Sequence, residues 1–262
     1  MPTIALPDGD LHYRIDGAES APVLLLCNSL GTHLGMWDEQ MPALTEHFRV
    51  LRYDTRGHGQ SVVSEGPYSI EQNGHDVIDL LDALGIEQTH FCGLSMGGLI
   101  GQWLLLNAPQ RLKRVVLCNT AAKIANPEVW NPRIEAVLRD GTAAMLALRE
   151  ATVSRWFTPS FAINQPDTVD RLVNMLATTS PTGYAANCAA VRDADFRERL
   201  ASASLPVLVI CGDQDPVTTV ADGECLVRAM KGAKGVVLSG AHLSNVEAGD
   251  AFTAEVLTFL LQ

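Results

Sequence analysis

No run of ~18 apolar residues occurs, so no membrane-spanning helix is expected. The opening segment, Met1-Pro2-Thr3-Ile4-Ala5-Leu6-Pro7-Asp8, has neither a basic region nor a long apolar core, so it does not read as a secretory signal. Positive charge is scarce. Lys and Arg total 19 against 30 Asp and Glu, a net charge of −11. With no basic stripe either, nucleic acid and anionic membranes are poor partners. The six cysteines (Cys27, Cys92, Cys118, Cys188, Cys211 and Cys225) form no C-x-x-C pair. Most end or interrupt apolar runs, which reads as buried reduced thiols in a cytoplasmic protein. No ligand cluster suggests a metal, and no cofactor is expected. Internal repeats and low-complexity segments are missing too. What remains is a chain of 262 residues, 47% hydrophobic and 19% charged, long enough to bury a large α/β core with an insertion.

The pattern along the chain is mostly an alternation of strands and helices. Leu11 to Ile15 alternates like a strand near a sheet edge. Pro22 to Cys27, Phe48 to Tyr53, Thr89 to Leu94, Lys113 to Asn119 and Pro206 to Cys211 are near-continuous apolar runs, as in strands covered on both faces of a parallel sheet. Gly235 to Leu238 is the last strand. Met36 to Leu44 predicts a short helix. Ser69 and Gln72 have capping-box spacing before a helix that Gly85 ends. From 121 to 197 the alternation stops. That block predicts helices over Pro127 to Arg139, Thr142 to Trp156, Asp167 to Thr178 and Pro181 to Arg192, punctuated by prolines. The expectation is a core of residues 1–120 and 198–262, with 121–197 inserted as a helical cap.

Reactive residues fall where strands end. Gly93-Leu94-Ser95-Met96-Gly97 is a G-x-S-x-G between an apolar strand and an apolar helix. A serine on such a turn is held in a strained backbone with its hydroxyl clear of the sheet. The Met96 amide, at the helix N-terminus, faces where an oxyanion would form. The loop Asn28-Ser29-Leu30-Gly31-Thr32 offers a second donor, the Leu30 amide. Asp213 and Asp215 follow one strand and His242 another. Serine, then acid, then histidine is the chain order of a Ser-His-Asp triad on an α/β-hydrolase sheet. His242 would act as the base and an aspartate would fix its tautomer. Both aspartates qualify by position. Asp215 is favoured, being two residues further from the strand and held by Pro216, with Asp213 capping the loop. His58, between two glycines in an early loop, is a weaker candidate base. Asp54 and Arg56 are expected to hold that loop.

With these motifs in view, the whole chain resembles the α/β-hydrolase superfamily, and more narrowly the bacterial 3-oxoadipate enol-lactonases. The resemblance rests on Cys27 to Thr32, Leu51 to Gly59 and His90 to Trp103. It also rests on the more specific runs Leu117-Cys118-Asn119-Thr120-Ala121-Ala122-Lys123-Ile124, Pro127 to Asn131, Arg192 to Asp195 and Ala241-His242-Leu243-Ser244-Asn245-Val246-Glu247. Asn28-Ser29 stands where many superfamily members carry His-Gly, which agrees with the lactonase pattern. Some relatives are fused to a decarboxylase; with its end at Gln262, the chain is expected to be the unfused form.

The resemblance implies an α/β-hydrolase fold, a mostly parallel sheet with helices on both faces and an inserted cap. It implies opening of 3-oxoadipate enol-lactone in aromatic-compound breakdown, with Ser95, Asp215 and His242 catalytic and the amides of Leu30 and Met96 as oxyanion hole. That lactone carries a carboxylate and the protein is acidic, so a local cation is expected. Arg133, with Trp130 beside it, is the first candidate and Lys123 the next. Trp37, Trp103 and Trp156 are assigned to packing. Two other readings use the same residues differently: a broad carboxylesterase or cofactor-free perhydrolase on the same triad, and a small-lactone receptor with little turnover.

Overall fold

The computed structural model describes residues 2–6 and 8–262, the Leu6 side chain excepted, so Met1 and Pro7 of the opening segment lie outside the described residues. The strands are β1 (Thr3–Leu6), β2 (Gly9–Asp16), β3 (Val23–Cys27), β4 (Arg49–Tyr53), β5 (Thr89–Leu94), β6 (Leu112–Cys118), β7 (Val207–Gly212) and β8 (Lys234–Leu238). They form one eight-stranded sheet in the order β1-β2-β4-β3-β5-β6-β7-β8. β1 and β2 are antiparallel to their neighbours, and every pairing from β4 to β8 is parallel. The central strands β3, β5, β6 and β7 carry the apolar runs, and their Leu24–Cys27, Phe91, Val115–Cys118 and Val207–Ile210 side chains are buried. β8 lies at the edge, and its Val237 is 52% exposed.

The helices are α1 (Met41–Leu44), α2 (Ile70–Ala83), α3 (Met96–Asn107), α4 (Pro127–Asp140), α5 (Thr142–Trp156), α6 (Pro159–Asn164), α7 (Pro166–Thr178), α8 (Pro181–Asp193), α9 (Val220–Ala229), α10 (Ser244–Glu247) and α11 (Gly249–Leu260). From α4 to α8 the chain is helical, between β6 and β7. α4 packs on α8, and α5 on α7. Among the described residues no helix is long and apolar enough to cross a membrane.

Several local expectations change. β1 leaves no pattern in the sequence; it is only a four-residue strand, paired antiparallel with β2. The stretch from Met36 to Leu44 is not one helix. It divides into a 3-10 turn at Leu34–Trp37, capped by the His33 ring, and α1, with Pro42 in its first turn. Pro42 has no N–H to donate to the carbonyl of Asp38, so a helix running through would lose that bond. Only half of the capping box forms. Ser69 Oγ accepts from the Gln72 amide at 3.0 Å, while the Gln72 side chain turns to Asp8. Helices α6 and α10 are too short to show a period in the sequence. Five of the cysteines are buried and unbridged, but Cys225 is exposed on α9.

Candidate active site

Ser95 sits at the turn from β5 into α3 with φ +59° and ψ −112°, a conformation that non-glycine residues rarely adopt. The surrounding backbone holds it there. Its amide donates to the Cys118 carbonyl at 2.9 Å, and its carbonyl accepts from Thr120 Oγ1 at 2.8 Å. The turn needs small neighbours because α3 enters directly over β3. A Cβ on Gly97 would lie 2.3 Å from the Cys27 carbonyl oxygen, and the Gly97 amide donates to the Asn28 carbonyl at 3.1 Å.

His242 follows β8 and Asp215 follows β7, so both reach the same edge of the sheet as Ser95. His242 Nδ1 donates to Asp215 Oδ2 at 2.8 Å, and both side chains are buried. Asp215 has four further contacts. Oδ2 also accepts from Asn119 Nδ2 at 3.0 Å and Thr218 Oγ1 at 2.8 Å, while Oδ1 accepts from the amides of Val217 at 2.8 Å and Thr218 at 3.1 Å. Burial alone would raise its pKa. The His242 imidazole outweighs that, aided by the bonds from Asn119 and Val217, and the carboxyl is pulled down to about 2. Asp213 is elsewhere. Its Oδ1 accepts from the Gly240 amide at 2.9 Å and ties the two loops together.

Ser95, His242 and Leu30 open on one cavity of about 280 Å³, near the ~300 Å³ lower end of small-molecule sites. Neither Ser95 Oγ nor His242 Nε2 is bonded to another side chain among the described residues. Among the described residues the amides of Leu30 and Met96 have no protein acceptor either. Ser95, His242 and Leu30 thus line one cavity with a serine hydroxyl and an imidazole nitrogen not taken up by other side chains, while Met96, next to Ser95 in the chain, does not itself line it.

The opposite wall comes from the helices between β6 and β7. Trp130 and Arg133 of α4 both line it. The Trp130 indole is fixed by its bond to the Ile124 carbonyl at 2.8 Å, and the Arg133 guanidinium lies 4.9 Å from the ring centroid. Arg155 of α5, not singled out in the sequence, lines the same wall and is held by Thr152 Oγ1 at 2.9 Å. Neither arginine is ion-paired to a carboxylate among the described residues. Burial, together with the nearby Arg133 charge, lowers the pKa of Arg155. Trp156 also reaches the cavity and is not only a packing residue. Lys123 does not reach it; its ammonium pairs with Asp195 at 3.3 Å.

Other signals belong to the scaffold. His58 Nε2 is occupied by the Gly31 amide and is buried, so it does not face the cavity as a base. Asp54 holds its loop through His12 Nδ1 at 2.7 Å and the Gln60 amide at 2.9 Å, and Arg56 is clamped by Asp76 at 2.6 and 2.5 Å. The run ending in Glu247 is a set of braces. Ser244 Oγ donates to Asn119 Oδ1 at 2.5 Å, Asn245 Nδ2 to the Met36 carbonyl at 3.1 Å, and the amides of Ala241 and Thr158 to the Glu247 carboxylate at 3.0 and 3.2 Å. Among the described residues, no group of three or more His, Cys, Asp or Glu is placed to hold a metal ion.

A serine turned out between strand and helix, on a sheet of this order, defines a hydrolase of the α/β class. Residues 22–248 match the family described as alpha/beta hydrolase fold. Within that class, the chain is 45% identical over 97% of its length to 3-oxoadipate enol-lactonase 2 of Acinetobacter baylyi, covering 94% of that protein. It is 44% identical over 92% of its length to 3-oxoadipate enol-lactonase 1 of the same organism, covering 90% of it. The crystal structure of the enol-lactonase from Burkholderia xenovorans superposes with a TM-score of 0.97 at 46% identity, over 100% of both chains. The chain belongs to the 3-oxoadipate enol-lactonase family of α/β hydrolases.

Proposed function

We propose that this protein opens 3-oxoadipate enol-lactone to 3-oxoadipate through an acyl-enzyme on Ser95. The observation that supports the reading beyond family membership is the pairing, at one cavity, of a Ser95–His242–Asp215 set with two arginines that pair with no carboxylate among the described residues. A lactone bearing a carboxylate matches both halves. Its carboxylate would lie against Arg133, with Arg155 as a second cation, and its ester carbonyl against Ser95.

The chemistry follows from the atoms. Ser95 Oγ attacks the lactone carbonyl carbon as His242 Nε2 takes its proton. Asp215 keeps the His242 proton on Nδ1 and stabilises the imidazolium. The amides of Leu30 and Met96 receive the oxyanion. Collapse breaks the ring C–O bond as the His242 imidazolium returns its proton to the leaving oxygen, which departs as an enol still tethered to the acyl group and leaves His242 neutral. It can reclose until it ketonises, so ketonisation makes opening irreversible. Water, deprotonated by His242, then cleaves the acyl-enzyme and frees Ser95.

We read residues 121–197 as a cap whose role is to supply the cations and the aromatic wall. The five buried free thiols support a reducing, cytoplasmic location. The test is relative specificity. Purified protein should turn over the enol-lactone with kcat/KM far above that for p-nitrophenyl acetate, with 3-oxoadipate as the product. Comparable values for both would replace this reading with a broad esterase on the same residues.

A further inference from the structure

The loop that offers the Leu30 amide is unusually well tied. Asn28 anchors its start, with Nδ2 donating to the Tyr53 carbonyl at 2.6 Å and Oδ1 accepting from Trp37 Nε1 at 3.0 Å. The Thr32 amide then donates to the Ser29 carbonyl at 3.1 Å, closing a turn with Leu30 and Gly31 at its centre. Gly31 has φ +82°, the value expected at the third position of a type II turn. Types I and II differ by a flip of the central peptide, here the one joining Leu30 to Gly31. The N–H of that peptide donates to His58 Nε2 at 2.9 Å.

We propose that His58 is a positioning residue for the oxyanion hole. By accepting the Gly31 amide it pins the peptide that follows Leu30, while Asn28 anchors the chain before it; held from both sides, the Ser29–Leu30 peptide keeps the orientation that aims the Leu30 amide into the cavity. The inference rests on the reading of Leu30 as an oxyanion donor. His58 touches no part of the cavity itself. To accept at Nε2 the ring must be neutral with its proton on Nδ1, and Nδ1 has the Arg56 carbonyl at 3.3 Å to receive that proton. The Arg56 carbonyl also accepts from Asn187 Nδ2 at 2.8 Å, and Asn187 sits on α8, one turn from the cavity-lining Tyr184. The Arg56 side chain is locked by Asp76. Burial pulls the His58 pKa down to about 4, which keeps the acceptor form at neutral pH. An oxyanion donor acts only if it is aimed before the charge develops, and hydrogen bonds weaken steeply with misalignment.

The test compares His58→Gln with His58→Asn, and both with Ser95→Ala. Gln can present an acceptor near the Nε2 position, whereas Asn reaches only the Nδ1 position. Removing an oxyanion donor outright costs ~100- to 1,000-fold in kcat, so misaiming one is expected to cost about 10- to 100-fold. His58→Asn should lose about that much kcat on the enol-lactone with KM changed less than about twofold, and His58→Gln should recover at least about half of the logarithmic loss. Affinity for a boronic acid that forms a tetrahedral adduct on serine should fall with kcat, while inhibition by 3-oxoadipate stays unchanged. Thermal unfolding of each variant separates this from a loss of folded protein. Equal kcat in the Gln and Asn variants, or losses that follow thermal stability alone, would overturn the role of His58. Retained turnover by Ser95→Ala would instead remove the acyl-enzyme reading on which it rests.

Discussion

Replacing Asp215 by Asn exchanges one carboxylate oxygen for an NH2 group, and the structure says which one. Two backbone amides, Val217 and Thr218, point at Oδ1 and cannot reverse their polarity. Of the three donors on Oδ2, two can adapt. The Thr218 hydroxyl can rotate, and His242 can shift its proton to Nε2. The third, Asn119 Nδ2, keeps its bond to the Ala241 carbonyl at 3.1 Å. The variant amide therefore turns its oxygen to the backbone and its NH2 to His242. His242 Nε2 then carries the proton and cannot accept one from Ser95. A wrong tautomer of this kind costs about 10,000-fold in kcat, or about 5 kcal/mol in barrier. Asp213→Asn keeps an oxygen for the Gly240 amide and should stay within about threefold of wild type, since it leaves no buried donor unpaired. Steady-state hydrolysis of the enol-lactone, with active sites counted by a serine-directed phosphonate, reads both. A loss under about tenfold in Asp215→Asn, or an equal loss in Asp213→Asn, would refute the reasoning.

Three further outcomes follow from other parts of the molecule. Arg133→Ala should raise KM for the enol-lactone about 10- to 100-fold, the range for losing a charge-assisted hydrogen bond, and leave KM for a neutral ester nearly unchanged; equal effects on both substrates would remove Arg133 from the carboxylate. Gly97→Ala should destabilise the fold by more than about 1 kcal/mol, because its Cβ would meet the Cys27 carbonyl oxygen at 2.3 Å, a backbone atom that cannot swing aside; an unchanged melting temperature would contradict the close approach of α3 to β3. His58 and His90 are buried, and burial lowers each pKa to about 4, below the ~6.5 of an unfolded chain. Between those values the unfolded chain binds more protons, so these histidines should leave stability level between about pH 7 and 8, lower it as pH drops from about 6.5 toward 4, and lower it less steeply in His58→Gln. Melting temperatures across pH 4 to 8 would show a flat profile if that account is wrong.

Much of the fold is legible because burial on both faces leaves a plain trace. Runs such as Leu24-Leu25-Leu26-Cys27 and Val207-Leu208-Val209-Ile210 carry little polar relief, and β3 and β7 lie inside the sheet. The edges are harder to read. β1 has four residues, and its antiparallel pairing with β2 shows in no apolar pattern. Pro42 interrupts a helical period that otherwise reads continuously from Met36. At the site, Ser95 announces itself through its flanking glycines, but the choice between Asp213 and Asp215 turns on two residues of loop path. The contacts that separate them, His242 for one and Gly240 for the other, exist only after β7 and β8 pair. Asn119, with φ +43° and bonds to both Asp215 and the Ala241 carbonyl, sits in a run that marks the family without revealing its contacts. Arg155 is hidden for another reason. One arginine near a helix end looks like a solvated charge until α4 and α5 put it beside Arg133.

The central claim is that Ser95 is the nucleophile for a lactone. Loss of enol-lactone ultraviolet absorbance, followed with purified wild type beside Ser95→Ala, tests it most directly. The account predicts rapid loss with wild type and a rate with Ser95→Ala close to that of buffer. Lactone opening that survives in folded Ser95→Ala, or ester cleavage by wild type with no lactone opening, would contradict it.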